Sequence, residues 1–255
     1  MTCDRSTCYQ RRMDWSRELE ARPEPTGRRF VAGRRARLGD VDHRGLARLD
    51  ALARWLQDVA WDDAADAGLD QRYSWVVRRT VVEVRRPARF FEPLELTTTC
   101  VGAGSHSALR RTEVRGALGA DADAVTLWVS VEPTGARPRR LEDDFWSTWG
   151  ASAGGRRPNT RALLAHQVPE GATRVPWTAR AADVDSFGHV NNAIYWAALA
   201  EATGVGRRAE DPLVAIIEHR SPIPAGADVE LWTHENEVWL VRDGTVAASG
   251  QVASG

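Results

Sequence analysis

Apolar residues recur along this chain at two spacings, and the chain runs through the pair of spacings twice. They stand three and four apart at Leu46, Leu49, Leu52 and Leu56, and again at Val190, Ile194, Ala197 and Ala198. That period lines one face of a helix. Elsewhere the spacing is two, as in Val125-Thr126-Leu127-Trp128-Val129-Ser130-Val131, which suits a half-buried strand. Strands are expected at about 75–86, 94–102, 107–116 and 124–132 after the first helix. After the second they are expected at 213–221, 228–234, 237–241 and 245–252. A further strand-like stretch precedes each helix, at 29–38 and at 173–180.

The two rounds match in detail. Asp40-Val41-Asp42-His43-Arg44-Gly45 and Asp183-Val184-Asp185-Ser186-Phe187-Gly188 share a spacing at an offset of 143 residues. Val82-Glu83-Val84-Arg85-Arg86-Pro87 matches Ile217-Glu218-His219-Arg220-Ser221-Pro222 at an offset of 135. Two landmarks in the same order at nearly the same offset point to a duplicated unit. An apolar helix accompanied by one antiparallel sheet buries itself when the sheet wraps it. The expected fold is therefore α+β, two repeated units side by side. Residues 1–26 are expected to be a mobile segment, 27–132 the first unit, 133–170 a linker and 171–255 the second unit. The linker is marked by Pro133, Pro138, Pro158, Pro169 and Gly154-Gly155, with a short helix at about 141–149.

Composition narrows the function classes. A hydrophobic content of 43% supports a sizeable core, and a net charge of −1 gives no sign of a nucleic-acid binder. All the positive charge is arginine. Cys3, Cys8 and Cys100 form no disulfide framework and no metal-ligand pattern. The amino-terminal residues have no apolar core of signal-peptide type, and no stretch approaches the roughly 18 apolar residues of a membrane span. A cytoplasmic protein with no metal, cofactor or membrane span is the expectation.

The chemistry concentrates in Asp183-Val184-Asp185-Ser186-Phe187-Gly188-His189-Val190-Asn191-Asn192. Gly188 permits a sharp turn, expected to lead directly into the helix. Free backbone N–H groups at a helix start would stabilise a carbonyl oxygen as it becomes an oxyanion. Asp185 sits where its carboxylate acts as base or nucleophile, with His189 and Asn191 or Asn192 placed to orient water or the carbonyl. In the first unit, Leu46-Ala47-Arg48-Leu49 replaces the His-Val-Asn-Asn run, so Asp42 is expected to be a turn cap in a degenerate site. Asp183 reads as a capping residue and His43 as a solvated one.

The run Asp-x-Asp-x-Phe-Gly-His-Val-Asn-Asn-x-x-Tyr resembles the hotdog thioesterases related to 4-hydroxybenzoyl-CoA thioesterase. From about Arg28 to Val252 the chain more specifically resembles the acyl-ACP thioesterases, which are double hotdogs that release fatty acids from acyl carrier protein. Leu49–Ala60, Trp75-Val76-Val77-Arg78-Arg79 and Ser107–Arg115 carry the match in the first unit. The resemblance implies catalysis by Asp185, His189 and Asn191, substrate binding by Asn192, Phe187 and Gly188, and an acyl pocket shaped by the first unit. Trp55, Trp61, Trp75 and Trp128 are candidates to limit acyl chain length there. The implied partner is acyl carrier protein, or coenzyme A, and the implied assembly is a monomeric pseudo-dimer or a homodimer. Two positions depart from the family pattern. Phe187 stands where the family has asparagine, and Pro222-Ile223 where it has a Glu-Cys or similar pair. Glu201 and Glu218 are candidate substitutes. Besides an acyl-ACP thioesterase, an acyl-CoA thioesterase and a non-hydrolytic acyl-carrier binding module fit the sequence.

Arginine pairs at 78–79, 85–86, 110–111 and 139–140 are candidates to dock an acidic carrier.

Overall fold

The computed structural model describes residues 14–24, 26–134, 137–205 and 212–253. The first unit runs β1 (Phe30–Arg35), α1 (Leu49–Asp66), β2 (Ser74–Arg86), β3 (Pro93–Ala103), β4 (Ser107–Gly116) and β5 (Asp121–Val131). After α2 (Asp143–Ala153) the second unit follows: β6 (Thr173–Val175), α3 (Ile194–Thr203), β7 (Leu213–His219), β8 (Glu230–His234), β9 (Glu237–Arg242) and β10 (Thr245–Val252). The strands form a single antiparallel sheet in the order β1-β3-β4-β5-β2-β7-β10-β9-β8-β6. Apart from the seam between β2 and β7, the order in each half is the same when β6 is matched to β1. This is the double hotdog expected of the repeat.

The seam explains why the halves form one body. Six residue pairs, from Arg79↔Glu218 to Val84↔Leu213, join β2 to β7. Above the seam, α1 and α3 lie together on one face of the sheet. Leu52, Trp55, Leu56 and Val59 of α1 share a single buried cluster with Tyr195, Trp196 and Leu199 of α3 and with Val82, Leu96, Ile217 and Leu240 of the sheet. Each helix therefore covers apolar surface that its own half alone would leave partly in water. The change in repeat offset is taken up largely by the helices: α1 has 18 residues and α3 has 10.

The opposite face of the sheet is covered by chain from outside the two units. Residues 14–24 fall in the segment expected to be mobile; instead, Asp14–Glu20 form a 3-10 helix. Trp15 buries its ring against Val81, Leu164 and Ile216 and donates its Nε1–H to Gln251 Oε1 at 2.9 Å. A tryptophan whose apolar ring and single donor both find partners holds the segment down. Residues 1–13 lie outside the described residues, as do Cys3 and Cys8; Cys100 is buried. The linker crosses the same face. Glu218 accepts the N–H groups of Leu163 and Leu164, while Arg79 donates to the carbonyls of Asn159 and Arg161. Among the described residues no helix is long and apolar enough to cross a membrane.

The arginine pairs do not stand free as pairs. Neighbouring strand residues face opposite sides of a sheet, so the members of a strand pair find separate partners. Arg79 pairs with Glu218 and Glu18, Arg85 with Asp121, Arg110 with buried Asp63, and Arg111 with Asp123. Of the eight, Arg86 and Arg140 are the exposed ones. Of the tryptophans, Trp55 is buried in the shared core, whereas Trp61 is 49% exposed and lines no interior. Trp75 packs on the rings of Tyr73 and Phe145, and Trp128 is half-buried.

Candidate functional site

The loop that enters α3 is built by local hydrogen bonds that its sequence supplies. A short 3-10 turn, Ala181–Asp183, is closed by Arg180 N–H donating to Asp183 Oδ2 at 2.8 Å. The Arg180 guanidinium beside Asp183 outweighs burial and holds its carboxyl below the usual carboxylate range. Asp183 is thus a cap. The chain then makes a tight turn: Gly188 N–H donates to Asp185 O at 3.0 Å, and Asp185 N–H to His189 O at 2.9 Å. Gly188 has φ +78°, a backbone region that strains any residue with a side chain.

The turn does not lead straight into the helix. Val190 pairs with Val184, and His189 with Pro224, in short extended bridges. Val190 N–H donates to the carbonyl of buried Ile223. α3 starts only at Ile194. Val190 and Leu46 therefore extend the apolar pattern of the helices without belonging to them: both sit in bridging segments that dock the loop onto the next strand.

Asp185 is half-buried. One carboxylate oxygen accepts Phe187 N–H at 3.0 Å; the other faces Asn191 Nδ2 at 3.4 Å. Asn191 Oδ1 in turn accepts Ala193 N–H at 2.9 Å and Gln57 Nε2–H at 3.2 Å. The structure thus places Asp185 and Asn191 in contact. His189 is in the same turn, joined to Asp185 through its carbonyl, with the residue half-buried, and Asn192 is half-buried at the turn before α3. Phe187, expected to bind substrate, is 74% exposed and meets Asp185 through its backbone. Of the two substitute carboxylates, Glu201 is exposed on α3. Glu218 is on the opposite face of the sheet, tied to the linker. Gln57 belongs to the first unit, and no feature of the motif announces it; only the packing of the two helices brings it here.

The first unit repeats this loop bond for bond. Asp42 N–H donates to Leu46 O, Gly45 N–H to Asp42 O, Ala47 N–H to Ala88 O and Arg48 N–H to Asp40 O. The counterparts run from Asp185 to His189, Gly188 to Asp185, Val190 to Ile223 and Asn191 to Asp183. Even Phe91, at φ +64°, holds the left-handed backbone found at Gly226, φ +73°. The side chains differ. Asp42 accepts Leu46 N–H and Arg44 N–H and is paired with the Arg44 guanidinium at 2.6 Å. Burial pushes its carboxyl up, but these bonds together hold it below the usual range. Arg48, at the place of Asn191, turns to Asp50 and to the carbonyls of Val41 and Gly39. A carboxylate engaged in this way is a poor base.

Beneath α3, Tyr195 meets His219 edge to face at 4.6 Å, and both are buried. Burial, with the Arg78 charge adding to it, pushes the His219 imidazole down to about 3. His219 therefore stays neutral in the folded chain below the ordinary histidine value of about 6.5, where the unfolded chain binds a proton. Stability is full above about pH 6.5 and falls toward pH 3, by about 1.4 kcal/mol for each pH unit within that window. Urea unfolding at stepped pH should show this slope between pH 6 and 4.5, and His219→Leu should flatten it. An equal slope in the variant would assign the loss to other groups.

The sequence matches the family model of the acyl-ACP thioesterase N-terminal domain over residues 29–149 and that of the C-terminal domain over 167–251. An uncharacterized protein of Mycobacterium tuberculosis is 31% identical over 209 residues, 82% of this chain and 83% of that protein. An oleoyl thioesterase from Lactobacillus plantarum has a similar fold at TM-score 0.76 and 17% identity, covering 89% of this chain and 96% of that one. A 12:0-ACP thioesterase from Umbellularia californica aligns at TM-score 0.71 and 18% identity, covering 88% and 96%. At these identities the structural likeness speaks for the fold.

Proposed function

Since the chain belongs to the acyl-ACP thioesterase family, we propose that it hydrolyses an acyl group carried as a thioester on acyl carrier protein, at one site centred on Asp185. The observation that carries the placement is the contrast between two loops with the same backbone hydrogen bonds. Both aspartates are half-buried, but Asp42 is paired with a guanidinium, whereas Asp185 faces an amide.

In this reading Asp185 takes a proton from water as the water oxygen attacks the thioester carbonyl carbon. The carbonyl oxygen gains negative charge in the tetrahedral intermediate. Its collapse breaks the C–S bond, giving the free acid and a thiolate that recovers the proton. Asn191 holds the carboxylate, His189 and Asn192 orient water or the carbonyl, and the turn at Gly188 leaves room for the acyl-pantetheine. Phe187, exposed at the mouth, contacts the arm or its carrier. The acyl chain extends toward the first unit. On this reading the enzyme acts in lipid metabolism in the cytoplasm, and we take it to work as a monomeric pseudo-dimer or a homodimer.

A non-hydrolytic carrier-binding module is the second reading, favoured by Ile223. That side chain is fully buried in the core at a position where the resembling enzymes have a polar pair. Free-thiol release from acyl-ACP and acyl-CoA substrates of varied length separates the readings. Hydrolysis of acyl-ACP should occur and should weaken as salt rises, while acyl-CoA hydrolysis changes less, because docking of an acidic carrier is screened. Binding without thiol release would favour the module. Equal salt sensitivity would remove the case for a carrier surface.

A further inference from the structure

We propose that Gln57, on the helix of the first unit, is a positioning residue for the site of the second; the inference rests on Asp185 being the group that activates water. Gln57 precedes Asn191 by 134 residues, and its Nε2 lies 3.2 Å from Asn191 Oδ1. The orientation of the Asn191 amide follows from its neighbours. Ala193 N–H can only donate, so the atom facing it is Oδ1. The Asp185 carboxylate, when ionised, can only accept, so the atom facing it is Nδ2. Gln57 supplies a second donor to Oδ1. A donor there also polarises the amide and strengthens Nδ2–H as a donor to Asp185.

The pseudo-symmetric position lacks this arrangement. Repeat spacing matches Gln57 to Ala200 and Asn191 to Arg48. Ala200 has no side-chain donor, and Arg48 is engaged with Asp50. Among the described residues, the loop that carries His189 and Asn191 receives a side-chain amide from the opposite helix. The first unit therefore does more than cover the core: it orients the partner of the water-activating carboxylate. This gives the seam between the units a direct role in turnover.

The test is a double-mutant cycle on the full chain, with kcat, KM and the pH profile measured on one thioester substrate. Gln57→Met keeps the length and removes the donor. It should lower kcat by about tenfold, the low end for loss of an outer hydrogen-bond partner, with KM within about twofold. In an Asn191→Ala background the same change should have little further effect. Gln57→Glu places a carboxylate against Oδ1 and should move the acidic limb of the kcat/KM profile to higher pH. Thermal melts establish that each variant is folded. Equal losses from Gln57→Met in both backgrounds, or an unchanged kcat together with an unmoved acidic limb in Gln57→Glu, would overturn the proposal. Asp185→Asn in the same assay keeps the two inferences apart. If it retained full activity, the placement of the site itself would fall, whatever the Gln57 variants do.

Discussion

Asp185→Asn is expected to lower kcat by about two orders of magnitude or more, the scale on which losing a positioned base is felt. Asparagine keeps the size of the side chain and an oxygen to accept Phe187 N–H, which closes the turn at 3.0 Å. What it removes is the negative charge that, in the proposed mechanism, draws a proton from water. The backbone bonds from Gly188 to Asp185 and from Asp185 to His189 involve main-chain atoms and persist. The loop should hold its shape, and the melting temperature should change little by circular dichroism. A large loss of activity together with a large loss of stability would instead make Asp185 a structural cap.

Glu218→Ala should do the reverse. Glu218 and Arg79 are both buried, with side-chain exposures of 5% and 2%, and pair at 3.1 Å. The same carboxylate accepts Leu163 N–H at 3.0 Å and Leu164 N–H at 2.9 Å. Truncation leaves a buried guanidinium without one of its two carboxylate partners and two linker amides without their acceptor. Removing one side of a buried ion pair costs about 3–5 kcal/mol. At roughly 2–4 °C per kcal/mol for a chain of this size, the melting temperature should fall by about 6–20 °C. Activity below that transition should stay within a few-fold of the parent, because Glu218 faces the linker while Ile217 and His219 face the helices. If kcat collapsed in folded Glu218→Ala, the carboxylate would have to be counted in the chemistry after all.

The duplicated fold was legible because its landmarks are local. An aspartate with a glycine three residues on forms the same turn in both units, so Asp42–Gly45 and Asp185–Gly188 reveal each other at a fixed offset. Ser107–Gly116 and Thr245–Val252 fall where alternation puts them, whereas the stretches expected at 29–38 and 173–180 are strands only over Phe30–Arg35 and Thr173–Val175. Less could be read wherever distant chain meets. Trp15 lies in a polar, proline-punctuated stretch, and only the sheet face waiting for it explains its burial. Paired arginines look like a charged surface in sequence, but Arg79, Arg110 and Arg111 turn to buried carboxylates. At the candidate site, the motif pointed to Asp185 and Asn191, which the fold sets in contact. Gln57 left no trace there, because a contact across 134 residues has no local signature.

Two loops with the same backbone hydrogen bonds differ in their side-chain chemistry, and turnover is proposed at only one of them. The most direct measurement is the ratio of kcat in Asp42→Asn to kcat in Asp185→Asn, both folded and assayed on the same acyl-ACP. Asp42 is already neutralised by Arg44 and by two backbone N–H groups, so its substitution should leave turnover within a few-fold. The predicted ratio is therefore about one hundred or more, set by the loss of a base at Asp185 alone. A ratio below one, with Asp42→Asn inactive and Asp185→Asn active, would put the working site in the first unit and contradict the account.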